Sequence, residues 1–93
     1  MAFKPRALAL NLTSAGTPQQ VSSTSVVTHR ADFRVPNANT GVMYLGGSDQ
    51  DSTHQITIEK GETFTLFHVD LSTVYFDGAN TNDDLQLIYY LPA

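Results

Sequence analysis

The chain has 93 residues and no cysteine, so it can form one small core but neither disulfides nor thiolate metal sites. Its charged residues are few and its net charge is −4, which argues against nucleic-acid binding as the main task. No apolar run approaches the roughly 20 residues that a membrane-spanning helix needs. We therefore expect one domain with no cofactor, no nucleic-acid partner and no membrane partner.

The charge is divided unevenly along the chain. Residues 1–35 carry a net charge of +3, from four cationic residues and one aspartate. Residues 36–93 carry a net charge of −7, from one lysine and eight acidic residues. This asymmetry suits contacts between copies of the chain, and a solvated surface explains it equally well.

The N-terminal residues 1–6 are predicted to form an arm ahead of a single β-sandwich domain over residues 7–93. Pro5 cannot donate a backbone hydrogen bond, so strand pairing is expected to begin after it. An arm of this kind has too little apolar content to fold on itself and would become ordered on a neighbouring subunit. The residues expected to make that contact are Phe3, Lys4 and Arg6.

Short stretches of alternating apolar residues, separated by turn residues, follow one another along the rest of the chain. No segment has a helical period long enough to matter. The strands are predicted over residues 7–12, around residue 21, and over residues 26–35, 42–45, 56–58, 63–69, 74–76 and 85–91. This pattern predicts an all-β fold, a two-sheet antiparallel β-sandwich like a jelly roll with about eight short strands.

The strand at residues 63–69 has two apolar faces. Phe67 and Val69 lie on the face opposite to Phe64 and Leu66, and this second face is too apolar for open water. A second cover is therefore expected, which predicts an oligomer or assembly on a scaffold. The following Asp70-Leu71-Ser72 breaks the alternation and favours a tight corner or a single helical turn.

Candidate metal ligands are scattered along the chain. His29, His54 and His68 lie in different elements, whereas zinc sites usually contain a close pair of ligands. His29 and His68 are expected on inward faces, as parts of the core. Asp49-x-Asp51 and Asn82-Asp83-Asp84 offer oxygen ligands but lack the order of an EF-hand, so they are interpreted as solvated turns.

A catalytic site is also not expected. Ser48, His54 and Asp49 could nominally form a triad, but no nucleophile elbow surrounds the serine. Gly46-Gly47-Ser48 could cradle an anion, but no helix follows it to supply a dipole. The sequence therefore predicts that the protein is not an enzyme.

Three short motifs resemble those of small virion proteins of tailed bacteriophages, and the similarity extends roughly over residues 41–91. The motifs are Leu45-Gly46-Gly47-Ser48-Asp49, Lys60-Gly61-Glu62 and Asp70-Leu71-Ser72-Thr73-Val74-Tyr75. The resemblance implies a structural role, chiefly that of a capsid decoration (cement) protein on the phage head, made in the host cytoplasm. Its implied partners are the major capsid protein or other virion subunits, with a homo-oligomer, either dimer or trimer, expected.

An alternative remains open at this point. The chain could be a receptor- or carbohydrate-binding module of a phage tail or fibre, or another head or tail component. Such a module would use two tyrosines and the acidic loops. Across these hypotheses the residues expected to contact partners are Phe3, Lys4, Arg6, Phe67, Val69, Tyr75 and Tyr90.

Overall fold

The computed structural model describes residues 2–92, which form eight strands and one short 3₁₀ helix. The strands are β1 (Phe3–Asn11), β2 (Gln19–Gln20), β3 (Arg30–Arg34), β4 (Met43–Gly46), β5 (Ile56–Ile58), β6 (Thr63–Phe67), β7 (Tyr75–Gly78) and β8 (Asp84–Pro92). The 3₁₀ helix spans Leu71–Thr73, between β6 and β7. Over these described residues, no helix has the length and apolar content needed to cross a membrane.

The strands form two antiparallel sheets of four strands each. Sheet A has the order β1-β8-β3-β6 and sheet B has the order β2-β7-β4-β5. Strands that follow one another in the chain lie in different sheets, except β4 and β5, which are neighbours in sheet B. This is the strand order of a jelly roll, so the predicted two-sheet sandwich with about eight short strands is confirmed.

The core lies between the sheets and is built from alternate residues of the central strands. Phe33 of β3, in sheet A, and Phe76 of β7, in sheet B, are both fully buried and belong to one core cluster with Met43 and Leu85. Gly78 ends β7 at a close approach, since a Cβ there would lie 2.7 Å from the sulfur of Met43. The inward-facing residues of these alternating strands therefore form the core.

The prediction of an unpaired N-terminal arm is wrong for residues 3–6, which the structure describes as part of a strand. β1 begins at Phe3, opposite Pro92, and pairs with β8 along its whole length. Pro5 lies opposite Tyr90 within this ladder. It is tolerated because β1 is an edge strand, where a missing N–H leaves the neighbouring ladder intact. Among the described residues, the sandwich therefore starts at residue 3 rather than at residue 7.

The strand predicted over residues 26–35 is shorter than expected. β3 covers only Arg30–Arg34, and Val27 makes an isolated bridge to Asp70 instead. Val27 is 65% exposed, because it pairs with Asp70 in the β6–β7 connection and does not extend β3.

The alternation of β6 ends at His68, which has a positive φ of 51°. This left-handed conformation, uncommon for a side-chain-bearing residue, rotates the chain out of the strand. Val69 consequently packs against the core, and its carbonyl accepts hydrogen bonds from the Thr28 N–H and hydroxyl, both at 2.9 Å. The expectation that Val69 shares an outward face with Phe67 is therefore wrong.

Asp70 holds the corner that follows. Its carboxylate accepts hydrogen bonds from the Ser25 hydroxyl at 2.6 Å and from the Val26 N–H at 3.0 Å, both in the β2–β3 connection. It also caps the 3₁₀ helix by accepting from the N–H and hydroxyl of Ser72 at 3.0 and 2.8 Å. The bond from Ser25, followed by those from Ser72 and Val26, lowers the pKa of Asp70 to about 2.

The first testable consequence concerns the core. Phe33→Ala should lower the free energy of unfolding by about 3–5 kcal/mol, because it leaves a cavity in the packed centre. Phe64→Ala is the matched control, since Phe64 lies opposite Phe33 on β6 but is 37% exposed. Its loss should be about half as large or less. Urea unfolding followed by circular dichroism measures both, and equal losses would contradict the description of the core.

A second consequence concerns acid stability. The folded pKa of Asp70, about 2, lies below its ordinary value of 3.8, so its contribution to stability is complete above about pH 4 and is lost as the pH falls towards 2. Asp70→Asn should therefore be less stable than the parent at pH 7, and the difference should shrink between pH 4 and 2. Melting temperatures across this range measure it. Asp49→Asn, in the exposed β4–β5 loop, is the control and should follow the parent throughout.

Candidate interaction surfaces

The outer face of sheet A, called the A-face below, is made of three rows of side chains that cross all four strands. The inward positions between these rows are occupied by core residues such as Leu87 and Phe33. The rows are Pro5, Tyr90, Arg30 and Phe67; Ala7, Ile88, Asp32 and Thr65; and Ala9, Gln86, Arg34 and Thr63.

The A-face exposes two large apolar side chains. Phe67 is 60% exposed and Ile88 is 37% exposed. On the edge strand Ala7 lies opposite Ile88 and Ala9 lies opposite Gln86, and these residues line a groove of about 470 Å³. Small side chains beside a branched one produce a recess into which a partner's side chain can insert.

The charged groups of the A-face are partly paired. Arg30 Nε lies 3.1 Å from Asp32 Oδ1, and the Arg30 guanidinium lies 5.6 Å from the centre of the Phe67 ring. Thr65 also donates its hydroxyl proton to Asp32, at 2.5 Å. Arg34 has no ion pair within residues 2–92. An exposed ion pair contributes little stability, so these contacts mainly fix the orientation of Arg30 over the aromatic ring.

The predicted contact residues fall in different places. Phe67 and Tyr90 share one row of the A-face, on either side of Arg30. Tyr75 lies on sheet B, where it pairs with Gln20 and Gly46, so Tyr75 and Tyr90 do not form one platform. The groove could not be predicted from the sequence. It forms only because β1 pairs with β8, which lies at the opposite end of the chain. Arg30 and Arg34, at the two ends of β3, are exposed.

Phe3, Lys4 and Arg6 belong to the exposed start of β1. The Phe3 ring stacks on His29, with centroids 4.2 Å apart and an angle of 8° between the planes. His29 in turn meets the edge of His68, with centroids 5.0 Å apart. His68 is exposed and His29 is only partly buried, so the prediction that both are core histidines is wrong. The reason is the turn at His68, which lies beyond the paired part of β6.

The β4–β5 loop folds back over the outer face of sheet B. Gly46 permits this, because a Cβ there would lie 2.6 Å from the His54 carbonyl oxygen. Within the loop, His54 Nδ1 lies 2.8 Å from Asp51 Oδ1. The bond from His54, with others from Thr53, lowers the pKa of Asp51 to about 2, and Asp51 raises the pKa of His54. His54 is therefore partnered by Asp51 and not by Asp49.

The acidic run at residues 82–84 is also built into the fold. Asp83 is buried, and its carboxylate accepts the N–H groups of Thr40 and Gly41 at 2.9 and 3.0 Å. Among residues 2–92, no group of three or more histidine, aspartate or glutamate side chains is arranged to hold a metal ion.

Comparison with known proteins gives one informative likeness. No family model matches the chain, and no curated protein matches it. A solved structure from work on Bacillus endospore appendages, described as forming a novel family of disulfide-linked pili, is similar with a TM-score of 0.52. The match covers 97% of this chain and 89% of that chain at 16% identity. At that identity the likeness shows a shared fold.

The N-terminal contacts generate a testable prediction. Phe3→Ala should lower the free energy of unfolding by about 1–2 kcal/mol, because it removes the stack on His29 and part of a buried ring surface. Lys4→Ala, at the next position of the same exposed strand end, should change it by less than about 0.5 kcal/mol. Urea unfolding of the two variants makes the comparison. No loss in Phe3→Ala would show that this end of β1 is unpaired in solution.

Proposed function

We propose that this chain is a structural protein that assembles in many copies, and specifically a capsid decoration (cement) protein on the head of a tailed bacteriophage. The observation that carries the proposal is the A-face. It exposes Ile88 at an apolar groove and Phe67 at the edge of the sheet, although the chain already has a complete core between its sheets. Exposed apolar surface of this kind on a small domain marks an interaction site.

The A-face has the composition of a protein contact surface. Its groove offers a pocket for an apolar side chain, and Arg34, which lines the groove and has no ion pair within residues 2–92, can meet a carboxylate of a partner. The major capsid protein is the proposed partner on the shell. The charge asymmetry of the sequence, +3 over residues 1–35 and −7 over residues 36–93, also suits contacts between neighbouring copies. Many modest contacts of this type give strong binding to a repetitive surface.

The structural likeness supports the same reading at the level of architecture. The similar protein comes from pili, which are built from repeated subunits, and it has the same two-sheet fold over nearly its whole length. Those pili are described as disulfide-linked, whereas this chain has no cysteine. The proposed assembly would therefore depend on noncovalent contacts. The phage assignment and the location on the head surface rest on the sequence resemblance, and the expectation that the protein is not an enzyme rests on the lack of a nucleophile elbow around Ser48.

The assignment to a virion is tested by counting copies. Mass spectrometry of purified particles should find this chain in a fixed and high proportion to the major capsid protein, and tailless heads should retain it. A few copies per particle, lost with the tail, would favour the receptor-binding alternative. Binding of the isolated protein to host cells would support that alternative directly.

The A-face itself is tested with a matched pair of isoleucines. Ile88→Ser should weaken binding to heads stripped of this protein by about tenfold or more, because Ile88 borders the groove. Ile56→Ser removes a side chain of the same size and similar exposure, 40% against 37%, from sheet B and should leave binding unchanged. Co-sedimentation at increasing protein concentration measures both. Equal weakening, or none in either variant, would contradict the role of the A-face.

A further inference from the structure

A cleft lies on the opposite side of the sandwich, over the outer face of sheet B. Tyr44 of β4 and Asp77 of β7, which are paired across the sheet, form its floor. The β1–β2 loop bounds it on one side, with Ala15, Gly16 and Pro18, and the β4–β5 loop bounds it on the other, with Gln50, Asp51 and Gln55. The cleft has a volume of about 530 Å³, within the range of small-molecule sites.

Gln50 is the unusual residue of this cleft. It is only 8% exposed, and its Oε1 is the one buried side-chain polar atom of residues 2–92 without a hydrogen-bond partner in the protein. Its Nε2 makes a long bond of 3.5 Å to Gln55 Oε1, which directs the amide oxygen elsewhere. A buried acceptor without a donor destabilises the protein, so a donor from outside the chain that reached Gln50 Oε1 would be favoured.

Asp77 offers a second acceptor on the same floor. Two backbone groups, the N–H of Gly16 at 2.9 Å and the N–H of Gly78 at 2.8 Å, both donate to its Oδ1. This arrangement fixes the carboxylate and leaves Oδ2 for a further donor. Two acceptors of the cleft, Gln50 Oε1 and Asp77 Oδ2, therefore have no donor within the described residues. Asp77 is held by β7 and by its bond from the β1–β2 loop, and Gln50 is held in the β4–β5 loop.

We infer that this cleft binds a saccharide of one or two rings. Sugar hydroxyl groups are neutral donors that suit the Gln50 and Asp77 oxygens, and the C–H faces of a sugar ring suit the Tyr44 ring and the apolar walls. A cation is less well matched, because Asp77 already accepts two backbone N–H groups and Asp51 is bonded to His54.

Saccharide binding in the cleft is compatible with the proposed attachment through the A-face, and it does not depend on that attachment. The A-face and the cleft lie on the two outer surfaces of the sandwich, so a copy attached to a shell through sheet A would present the cleft to the surrounding medium. The saccharide site rests on the geometry of the isolated chain, and its test needs no phage particle.

The test is a nuclear magnetic resonance titration of the isotope-labelled full chain. The probes are the methyl glycosides of glucose, galactose, mannose and N-acetylglucosamine and the disaccharide lactose, each up to tens of millimolar. At least one should give saturable shifts centred on the Gly16 and Gly78 amides and the side-chain amides of Gln50 and Gln55. Arginine and calcium chloride are titrated in parallel. A response to either cation and to none of the sugars would overturn the inference, as would no response at all.

Variants then assign the site. Gln50→Leu should keep the fold, since it removes an unpartnered acceptor, and should weaken sugar binding by about tenfold. Tyr44→Leu should do the same, whereas Tyr75→Leu, on the adjacent strand of the same face but outside the cleft, should bind as the parent does. Undiminished binding by Gln50→Leu would refute the assignment. If that variant does not fold, the position of the shifts in the parent decides the question.

Discussion

Carboxylates that accept backbone N–H groups hold the loops of this protein, and the rest of the structure depends on them. In a jelly roll nearly every connection crosses from one sheet to the other, so the loops carry backbone donors that no ladder satisfies. Asp70 fills this role at one end of the sandwich, where it joins the β2–β3 and β6–β7 connections. Asp83 does so at the other end, where it accepts from Thr40 and Gly41, and Asp77 fixes the β1–β2 loop. A charged acceptor makes shorter and stronger bonds than a neutral one.

Fixed loops allow the two outer faces of the sandwich to differ. On sheet B the β4–β5 loop lies over the strands at Gly46, and with the β1–β2 loop it forms the walls of a polar cleft. On sheet A no loop residue lines the groove beside Ile88, which leaves this groove of the A-face open. Under the two proposals, the same fold presents one surface to a protein and the other to a small polar ligand.

Local alternation was enough to predict the sandwich, because a period of two and its interruptions are written in the sequence. It also placed Phe67 and Tyr90 outward. It failed where the backbone leaves the regular pattern, as at His68, whose positive φ turns Val69 inward. It failed again where the outcome depends on a distant strand. The pairing of Phe3 with Pro92 turns a predicted arm into part of β1. The local sequence predicts neither the burial of Gln50 nor the groove of the A-face.

The shape of the sheet edges bears on how copies of such a chain can assemble. An exposed strand edge can add a strand from another chain, but short strands, proline and lysine oppose this. β2 and β5 have only two and three residues, and β1 carries Lys4 and Pro5. β6 is the longest edge without such residues, and it ends at Phe67, whose ring is held under Arg30 on the A-face. Under the proposed function, side-chain contacts through the A-face therefore account for assembly better than strand addition does, since three of the four edges resist pairing while the face remains open.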